Sequence, residues 1–161
     1  MTPAAAGRSR SAGLLVYRPE PGGSLEVLLV HPGGPVWARR DLGAWSIPKG
    51  EYAADEDPLQ AARREFVEEL GHPVPDGEPR ELGEIRQKSG KVVTAWGVAG
   101  DLDVTEITSN PFTMEWPPRS GTMRDFPEVD RAQWFDLDDA RARLNPAQAP
   151  FIDRLLETLT P

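Results

Sequence analysis

The chain has 161 residues, with 26 acidic and 18 basic side chains and a formal net charge of −8. This length predicts one domain with a core of its own, and the lack of cysteine excludes disulfide frameworks, thiolate zinc sites and cysteine nucleophiles. The acidic balance makes a nucleic-acid partner improbable, because nucleic-acid-binding proteins need basic surface to displace counterions from phosphates.

The N-terminal part of the chain predicts a tail followed by two strands. Residues 1–10 are expected to form a flexible tail, and residues 11–161 a single domain. Residues 11–18 and 25–31 are Leu- and Val-rich runs separated by the turn-forming segment PEPGGS, which indicates a hairpin or neighbouring strands. No apolar run approaches the roughly 18 residues of a membrane span, so we expect a cytoplasmic protein without a membrane partner.

The clearest element is a helix that follows a long loop, a brief strand at residues 45–48 and a turn at residues 49–50. Asp57 is a good N-cap, Pro58 suits the first helical position, and Gln60 completes a capping-box pattern. Gly71 stands where a glycine commonly ends a helix. One face carries an apolar stripe that predicts packing on a core, formed by Leu59, Ala62, Phe66 and Leu70.

In the rest of the chain, predicted strands alternate with loops. Strands are expected at residues 81–87, 92–98, 112–116 and 132–137, and a closing helix at residues 150–159. Residues 117–128 contain several Pro and Gly residues and are expected to form a loop, which could serve as a substrate lid through Arg119 or Arg124. This order favours an α/β protein with a mixed sheet flanked by helices.

Three glutamates are clustered on the predicted helix. Glu65, Glu68 and Glu69 are spaced i, i+3, i+4, so they lie near one another and repel unless something offsets their charge. One interpretation is a solvated acidic face, partly relieved by Arg64. The other is a site for divalent cations, and oxygen ligands in a chain with only His31 and His72 as histidines favour Mg²⁺ or Mn²⁺.

The residues around these glutamates form a recognisable pattern. Residues 50–72 read GEYAADEDPLQAARREFVEELGH, which resembles the Nudix box, G-x5-E-x7-R-E-U-x-E-E-x-G-U, where U is a large apolar residue. His72 departs from the pattern at its last position. The matching residues are Gly50, Glu56, Arg64, Glu65, Phe66, Glu68, Glu69 and Gly71.

The resemblance implies the Nudix fold, an α/β/α sandwich around a mixed β-sheet, and hydrolysis of a nucleoside diphosphate linked to another group. It further implies that Glu65, Glu68 and Glu69 hold the metal or activate water, with a backbone carbonyl of Lys49 or Gly50 completing the metal shell. Glu56 and Arg64 are expected to pair and to brace the loop against the helix, and Gly50 and Gly71 to have structural roles.

Residues outside the box extend the predicted site. Many relatives use a further acid from a loop, for which Glu115 is the first candidate and Glu106 the second. Arg39, Arg40 and Lys49 suit phosphate oxygens, although a solvated basic pair explains the two arginines equally well. Any of the five tryptophans could stack on a base, and those nearest the predicted site loops are Trp45 and Trp116.

The segment WSIPKG at residues 45–50 is similar to the lead-in of Nudix enzymes that act on nucleoside triphosphates and dinucleoside polyphosphates. The sequence therefore predicts a metal-dependent pyrophosphohydrolase with a small nucleotide as substrate, and leaves a homodimer open. Two alternatives remain: an RNA 5′-pyrophosphohydrolase, and a Nudix-fold module that senses a nucleotide without cleaving it. The retention of every acidic box position argues against the sensor.

Overall fold

The N-terminal strand β1 lies in the middle of a mixed six-stranded sheet. In the computed structural model, which describes residues 9–160, the order is β4-β5-β1-β2-β8, and β3 pairs with β1. Among the strand pairs of this sheet in residues 9–160, only β1–β5 is parallel. A second sheet contains β6 and β7. The strands are β1 (Arg10–Pro19), β2 (Leu25–Pro32), β3 (Lys49–Glu51), β4 (Arg80–Arg86), β5 (Val92–Ala99), β6 (Pro111–Glu115), β7 (Met123–Pro127) and β8 (Val129–Asp136).

Helices cover both faces of the main sheet, because β1 alternates its side chains between two apolar clusters. On one face Leu14 and Val16 pack with Phe66 of α1 (Pro58–Leu70). On the other face Leu15 packs in the cluster that includes Ala140 of α2 (Leu137–Arg143) and Phe151 of α3 (Pro150–Leu159). This arrangement confirms the predicted α/β/α sandwich around a mixed sheet.

The helix α1 begins and ends where the sequence predicts. The Asp57 side chain accepts a hydrogen bond from the Gln60 N–H at 3.0 Å, and Pro58 occupies the first turn. Gly71 adopts φ 69°, and its N–H donates to the Val67 carbonyl at 2.8 Å. The left-handed conformation at this position favours glycine. The buried apolar face of the helix contains Ala61, Ala62, Phe66 and Leu70.

Several boundaries differ from the sequence predictions. Strand β1 begins at Arg10, within the predicted tail, while residues 1–8 lie outside the described residues. The predicted turn at residues 49–50 is strand β3, because these residues pair with Gly13 and Ala12. The predicted strand at 45–48 is limited to isolated bridges from Trp45 to Leu144 and from Ser46 to Val30.

The sequence pattern does not predict one strand, one α-helix and one short 3-10 helix (Pro146–Gln148) of the C-terminal half. Strand β7 lies inside the predicted loop at residues 117–128, where cross-strand pairing with β6 overrides the local Pro and Gly signal. Helix α2 follows β8 directly, and the Asp136 side chain caps it by accepting from the Asp139 N–H at 2.8 Å. Its sequence LDDARAR has little apolar periodicity. Within residues 9–160 no helix has the length and apolar content needed to cross a membrane.

A buried glutamine fixes the segment that leads from β2 to β3. The Gln148 Oε1 accepts from the Ile47 backbone N–H at 3.0 Å, and its Nε2 donates to Ser46 Oγ at 3.0 Å and to Gln87 Oε1 at 2.9 Å. Gln148 is fully buried. Because Ile47 lies two residues before Lys49, this network positions the start of β3 against α1.

We predict that Gln148→Leu lowers the free energy of unfolding by about 1–3 kcal/mol, because it leaves the buried Ile47 N–H without an acceptor. Urea denaturation measures this change, and Gln133→Leu at an exposed position of β8 is the matched control. A Gln148→Leu variant as stable as the Gln133→Leu variant would show that the network does not hold this segment.

Candidate active site

The most buried acid of the site is Glu69, in the last turn of α1. The residue is 8% exposed, and its carboxylate accepts from the Lys49 backbone N–H at 3.3 Å. Burial raises the pKa of Glu69, an effect that the nearby Lys49 opposes. Burial also lowers the pKa of Lys49, and repulsion from Lys91 acts in the same direction. Burial therefore disfavours charge on both groups, and the attraction between Lys49 on β3 and Glu69 on α1 offsets part of that cost.

Glu65 lies one turn earlier, against the backbone of Gly50. A Cβ atom at Gly50 would overlap the Glu65 carboxyl group, so the side chain can occupy this position only because residue 50 is glycine. Burial raises the pKa of Glu65, whereas its hydrogen bond from Arg64 acts in the opposite direction. The glycine of the box thus provides room for a box carboxylate.

Arg64 joins the acids of the loop and the helix. Its Nε and Nη2 donate to the Glu56 carboxylate at 3.0 and 3.1 Å, which is the pairing that the resemblance implies. Its Nη1 donates to Glu65 Oε2 at 2.7 Å and to Glu68 Oε2 at 3.1 Å. The Arg64 guanidinium lowers the pKa of Glu56, and hydrogen bonding to Glu56 raises the pKa of Arg64. A positively charged nitrogen is thus shared by Glu65 and Glu68.

A fourth carboxylate, Glu128, joins the site from the link between β7 and β8. No sequence motif marks this residue, because it lies in a Pro-containing segment outside the Nudix box. It lines a cavity of about 160 Å³ together with Lys49 and Glu69. Burial raises the pKa of Glu128, and repulsion from Glu68 adds to this shift. Repulsion from Glu128 also raises the pKa of Glu65 and of Glu69. The four carboxylates, Glu65, Glu68, Glu69 and Glu128, therefore form one electrostatic cluster.

Backbone hydrogen bonds hold Glu128 at this position. The Glu68 carbonyl at the end of α1 accepts from the Asn110 N–H at 3.0 Å, and the Asn110 carbonyl accepts from the Glu128 N–H at 2.9 Å. The Glu128 carbonyl in turn accepts from the Gly33 N–H at 2.9 Å. This series connects the helix, the base of the β6–β7 hairpin and the loop after β2.

The two acids that the sequence singled out beyond the box have other contacts. The Glu115 carboxylate, in β6, accepts from the Gly121 N–H at 2.8 Å and so supports the turn of the hairpin. The Glu106 carbonyl accepts from His72 Nε2 at 2.7 Å, which ties the loop to the residue that departs from the box pattern. Arg119 lies in the hairpin turn and Arg124 in β7.

Trp45, a sequence candidate for base stacking, is almost fully buried and lies behind the cleft that contains Arg39 and Arg40. The ring is 1% exposed, and its Nε1 donates to Asp41 Oδ1 at 2.8 Å. His31 and Phe135 pack edge-on against it, with ring centroids 5.1 and 4.9 Å away. Its apolar surface is therefore used in the core between β2, β8 and α2.

Arg39 and Arg40 lie in a cleft of about 370 Å³ with Arg131 and Arg143. This cleft shares no lining residue with the cavity of Lys49, Glu69 and Glu128. Arg131 and Gln133 on β8 lie opposite His31 and Leu29, on the face of the sheet that carries α2 and α3. Arg39 and Arg40 therefore lie apart from the carboxylates, whose neighbouring basic residues are Lys49 and Arg64. Trp116, the other tryptophan considered for base stacking, lies at the end of the hairpin. Its backbone N–H donates to the Thr122 carbonyl at 2.9 Å.

Comparison with known proteins agrees with this geometry. Residues 7–155 match the sequence profile of the NUDIX domain. The chain belongs to the Nudix family. A Mycobacterium tuberculosis protein named "Putative 8-oxo-dGTP diphosphatase 3" is 42% identical over 65 residues, which cover 40% of this chain and 29% of that protein. A Caenorhabditis elegans protein, "Putative nudix hydrolase 6", is 38% identical over 72 residues, which cover 45% of this chain and 25% of that protein.

Solved Nudix structures share the fold over nearly the whole chain. A C. elegans Ap4A hydrolase binary complex superposes with a TM-score of 0.65 at 23% identity, covering 94% of this chain and 97% of that one. The NUDIX domain of Shewanella oneidensis NrtR, complexed with ADP ribose, gives a TM-score of 0.66 at 18% identity, covering 95% of this chain and 89% of that one. The curated sequence relatives, by contrast, are matched over less than a third of their own length.

The carboxylate cluster is suited to the divalent metal that Nudix hydrolases generally use. Oxygen is the ligand atom that Mg²⁺ and Mn²⁺ prefer, and Arg64 Nη1 between Glu65 and Glu68 shows that positive charge is stabilised there. Among residues 9–160, however, no three acidic or histidine side chains converge closely enough to form a preformed ion cage. Glu65 and Glu68 are instead bridged by Arg64 Nη1.

We predict that Gly50→Ala lowers the free energy of unfolding by about 1–3 kcal/mol, because its methyl group overlaps the Glu65 carboxyl group. Denaturation of Gly50→Ala, Glu65→Ala and the double variant measures the coupling between the two positions. In the Glu65→Ala background the added methyl group should cost little. An equal cost in both backgrounds would contradict the contact.

Proposed function

We propose that this protein is a Mg²⁺- or Mn²⁺-dependent pyrophosphohydrolase that cleaves the phosphate chain of nucleoside triphosphates or dinucleoside polyphosphates. The observation that carries the proposal is the cluster of Glu65, Glu68, Glu69 and Glu128 beside Lys49. Four carboxylates at one surface repel one another unless cations offset their charge. Divalent cations bound to these carboxylates would attract phosphate oxygens, which turns the same surface into a phosphate site. The cluster therefore supports phosphoanhydride chemistry.

The names of similar proteins support the substrate class. The M. tuberculosis relative is named for 8-oxo-dGTP, a nucleoside triphosphate, and the C. elegans structure is that of an Ap4A hydrolase, named for a dinucleoside polyphosphate. Both substrates combine a chain of phosphates with an aromatic base. We infer that this chain acts on the same combination.

The residues of the cluster would have different roles in an in-line displacement at phosphorus. Glu65, Glu68 and Glu69 would hold the metal, with a backbone carbonyl of Lys49 or Gly50 nearby. When bound, a divalent ion supplies charge neutralisation at the phosphate oxygens. The Lys49 ammonium adds a positive charge at the cavity wall, and it stabilises negative charge that develops during the displacement.

Glu128 is the residue that we propose as the acceptor of the proton from the attacking water. It borders the same cavity as Glu69 but comes from a different element, so it can remain free when the helical carboxylates hold the metal. Glu128 is an exposed residue, but its carboxyl group is partly desolvated, and partial desolvation suits general-base catalysis because it makes a carboxylate more basic than it is in water. Glu115, the acid proposed from the sequence, supports the hairpin turn instead in this assignment.

The test of the proposed activity is a panel of nucleoside triphosphates, dinucleoside polyphosphates, nucleotide sugars and 5′-triphosphorylated RNA, each with Mg²⁺ and Mn²⁺. Product masses identify the bond that is cleaved. We expect metal-dependent release of pyrophosphate or of a nucleotide from the first two classes. Nucleotide binding without turnover across the panel would instead favour the sensing module.

We predict that Glu69→Gln lowers kcat by at least about 10²-fold, because the amide cannot supply the negative charge that the metal requires. The fold should be retained, since the amide oxygen can still accept from the Lys49 N–H. Steady-state kinetics at saturating Mg²⁺ measure the effect, with Glu157→Gln on the exposed side of α3 as control. Near-normal turnover in Glu69→Gln would refute the assignment.

We further predict that Glu128→Gln slows turnover by about 10²-fold or more, whereas Glu115→Gln stays within a few-fold of the wild type. The pH–rate profile distinguishes the two roles, because loss of the general base removes the acidic limb of the profile. If Glu115→Gln removes that limb and Glu128→Gln does not, the assignment from the sequence is right and ours is wrong.

A further inference from the structure

An apolar pocket lies next to the carboxylate cluster, between the loop after β2 and the β6–β7 hairpin. Its volume is about 380 Å³, within the range of small-molecule sites. Val36 and Trp37 contribute the loop side, and Phe112 and Met114 the hairpin side. None of these residues belongs to the Nudix box, and the proposed chemistry does not use them.

The walls of the pocket are held in place by packing and backbone contacts. Gly34 adopts φ 93°, and a Cβ atom there would lie 2.8 Å from Phe112 Cζ, so the ring rests directly on the loop backbone. Phe126 supports Phe112 from the neighbouring strand, with ring centroids 6.0 Å apart. The bond from the Gly33 N–H to the Glu128 carbonyl fixes the loop to the start of β8. The pocket is therefore formed before any ligand binds.

The apolar side chains of the loop remain open to solvent. Val36 is 53% exposed and Trp37 is 37% exposed, although both are large and apolar. The Arg40 guanidinium lies 5.5 Å from the Trp37 ring centroid, so it can orient the indole while the ring still lines the pocket. Exposed aromatic surface in a preformed concave site is typical of a ligand-binding surface.

Glu128 connects this pocket to the carboxylates. It lines the pocket with Trp37 and Phe112, and it also lines the cavity with Lys49 and Glu69. A ligand whose planar apolar part lies against Trp37 thus places its next group at the carboxylate cluster. Nucleotides have this arrangement, with a flat base linked through a sugar to phosphates.

We propose that this pocket holds the base of the substrate, stacked on Trp37 and enclosed on the other side by Phe112 and Met114. This inference rests on the proposed function, because the phosphate chain attached to that base is what the carboxylates would cleave. It adds a requirement: the substrate carries an aromatic base, and compounds with phosphoanhydrides alone bind poorly.

The experiment compares binding of ATP and GTP analogues with methylene-bridged phosphates against inorganic tripolyphosphate, in Mg²⁺, by isothermal titration. We expect Trp37→Ala to weaken analogue binding by about 5- to 150-fold, as the loss of one stacked base does, and to leave tripolyphosphate binding unchanged. Trp37→Phe should retain most of the affinity, because it keeps an aromatic face. Leu42→Ala, in the same loop, 71% exposed and outside the pocket, should match the wild type.

The inference is overturned if Trp37→Ala binds the analogues as the wild type does, or if it weakens tripolyphosphate equally. A wild-type protein that binds nucleotide analogues no more tightly than tripolyphosphate also overturns it. The two proposals fail separately. Analogue binding that depends on Trp37, with no turnover of any substrate, would reject the proposed hydrolase activity and support the base pocket. Turnover that is insensitive to Trp37 would support the hydrolase activity and reject the base pocket.

Discussion

Carboxylates are costly to bury, and the second half of α1 buries two of them beside a third. Glu65 and Glu69 lose solvent between the helix and β3, and burial raises the pKa of both. The surrounding structure reduces this cost through Arg64, through Lys49 and through a glycine that makes room for Glu65. Between positions 51 and 69 the chain has seven acidic and two basic residues, a net of −5 out of −8 for the whole chain. This stretch thus retains excess negative charge, which a divalent cation would offset.

The remainder of the site depends on how the end of α1 is connected. The Leu70 and Glu68 carbonyls, which have no partner within the helix, accept from the Thr108 and Asn110 N–H groups at 3.1 and 3.0 Å. Those two bonds place the base of the β6–β7 hairpin beside the carboxylates, and the hairpin in turn delivers Glu128 and the wall of the apolar pocket. Capping of one helix therefore links the proposed chemistry to the proposed recognition of the base.

The sequence could predict the parts of the site that lie close together in the chain. The helix, its caps and the spacing of Glu65, Glu68 and Glu69 follow from local rules, as does the pairing of Glu56 with Arg64 eight residues away. The fold class followed because the Nudix resemblance and the order of apolar runs agreed. Strand β7 and Glu128 could not be recognised, since only pairing with β6 and contacts with Asn110 and Gly33 define them. The burial of Trp45 could not be predicted for the same reason, because a Trp in a Pro- and Gly-rich segment gives no local sign of whether distant strands bury it.

The central claim is that the carboxylates of α1 form a divalent-metal site, and Mn²⁺ binding tests it without any assumption about the substrate. Electron paramagnetic resonance of free Mn²⁺ during titration gives the affinity and the number of ions bound. Glu68 is the informative position, because it is half-exposed and its replacement by Gln leaves the core untouched. We predict saturable binding to the wild-type protein, weakened by about tenfold or more in Glu68→Gln. Absence of saturable binding, or equal binding by the two proteins, would contradict the account.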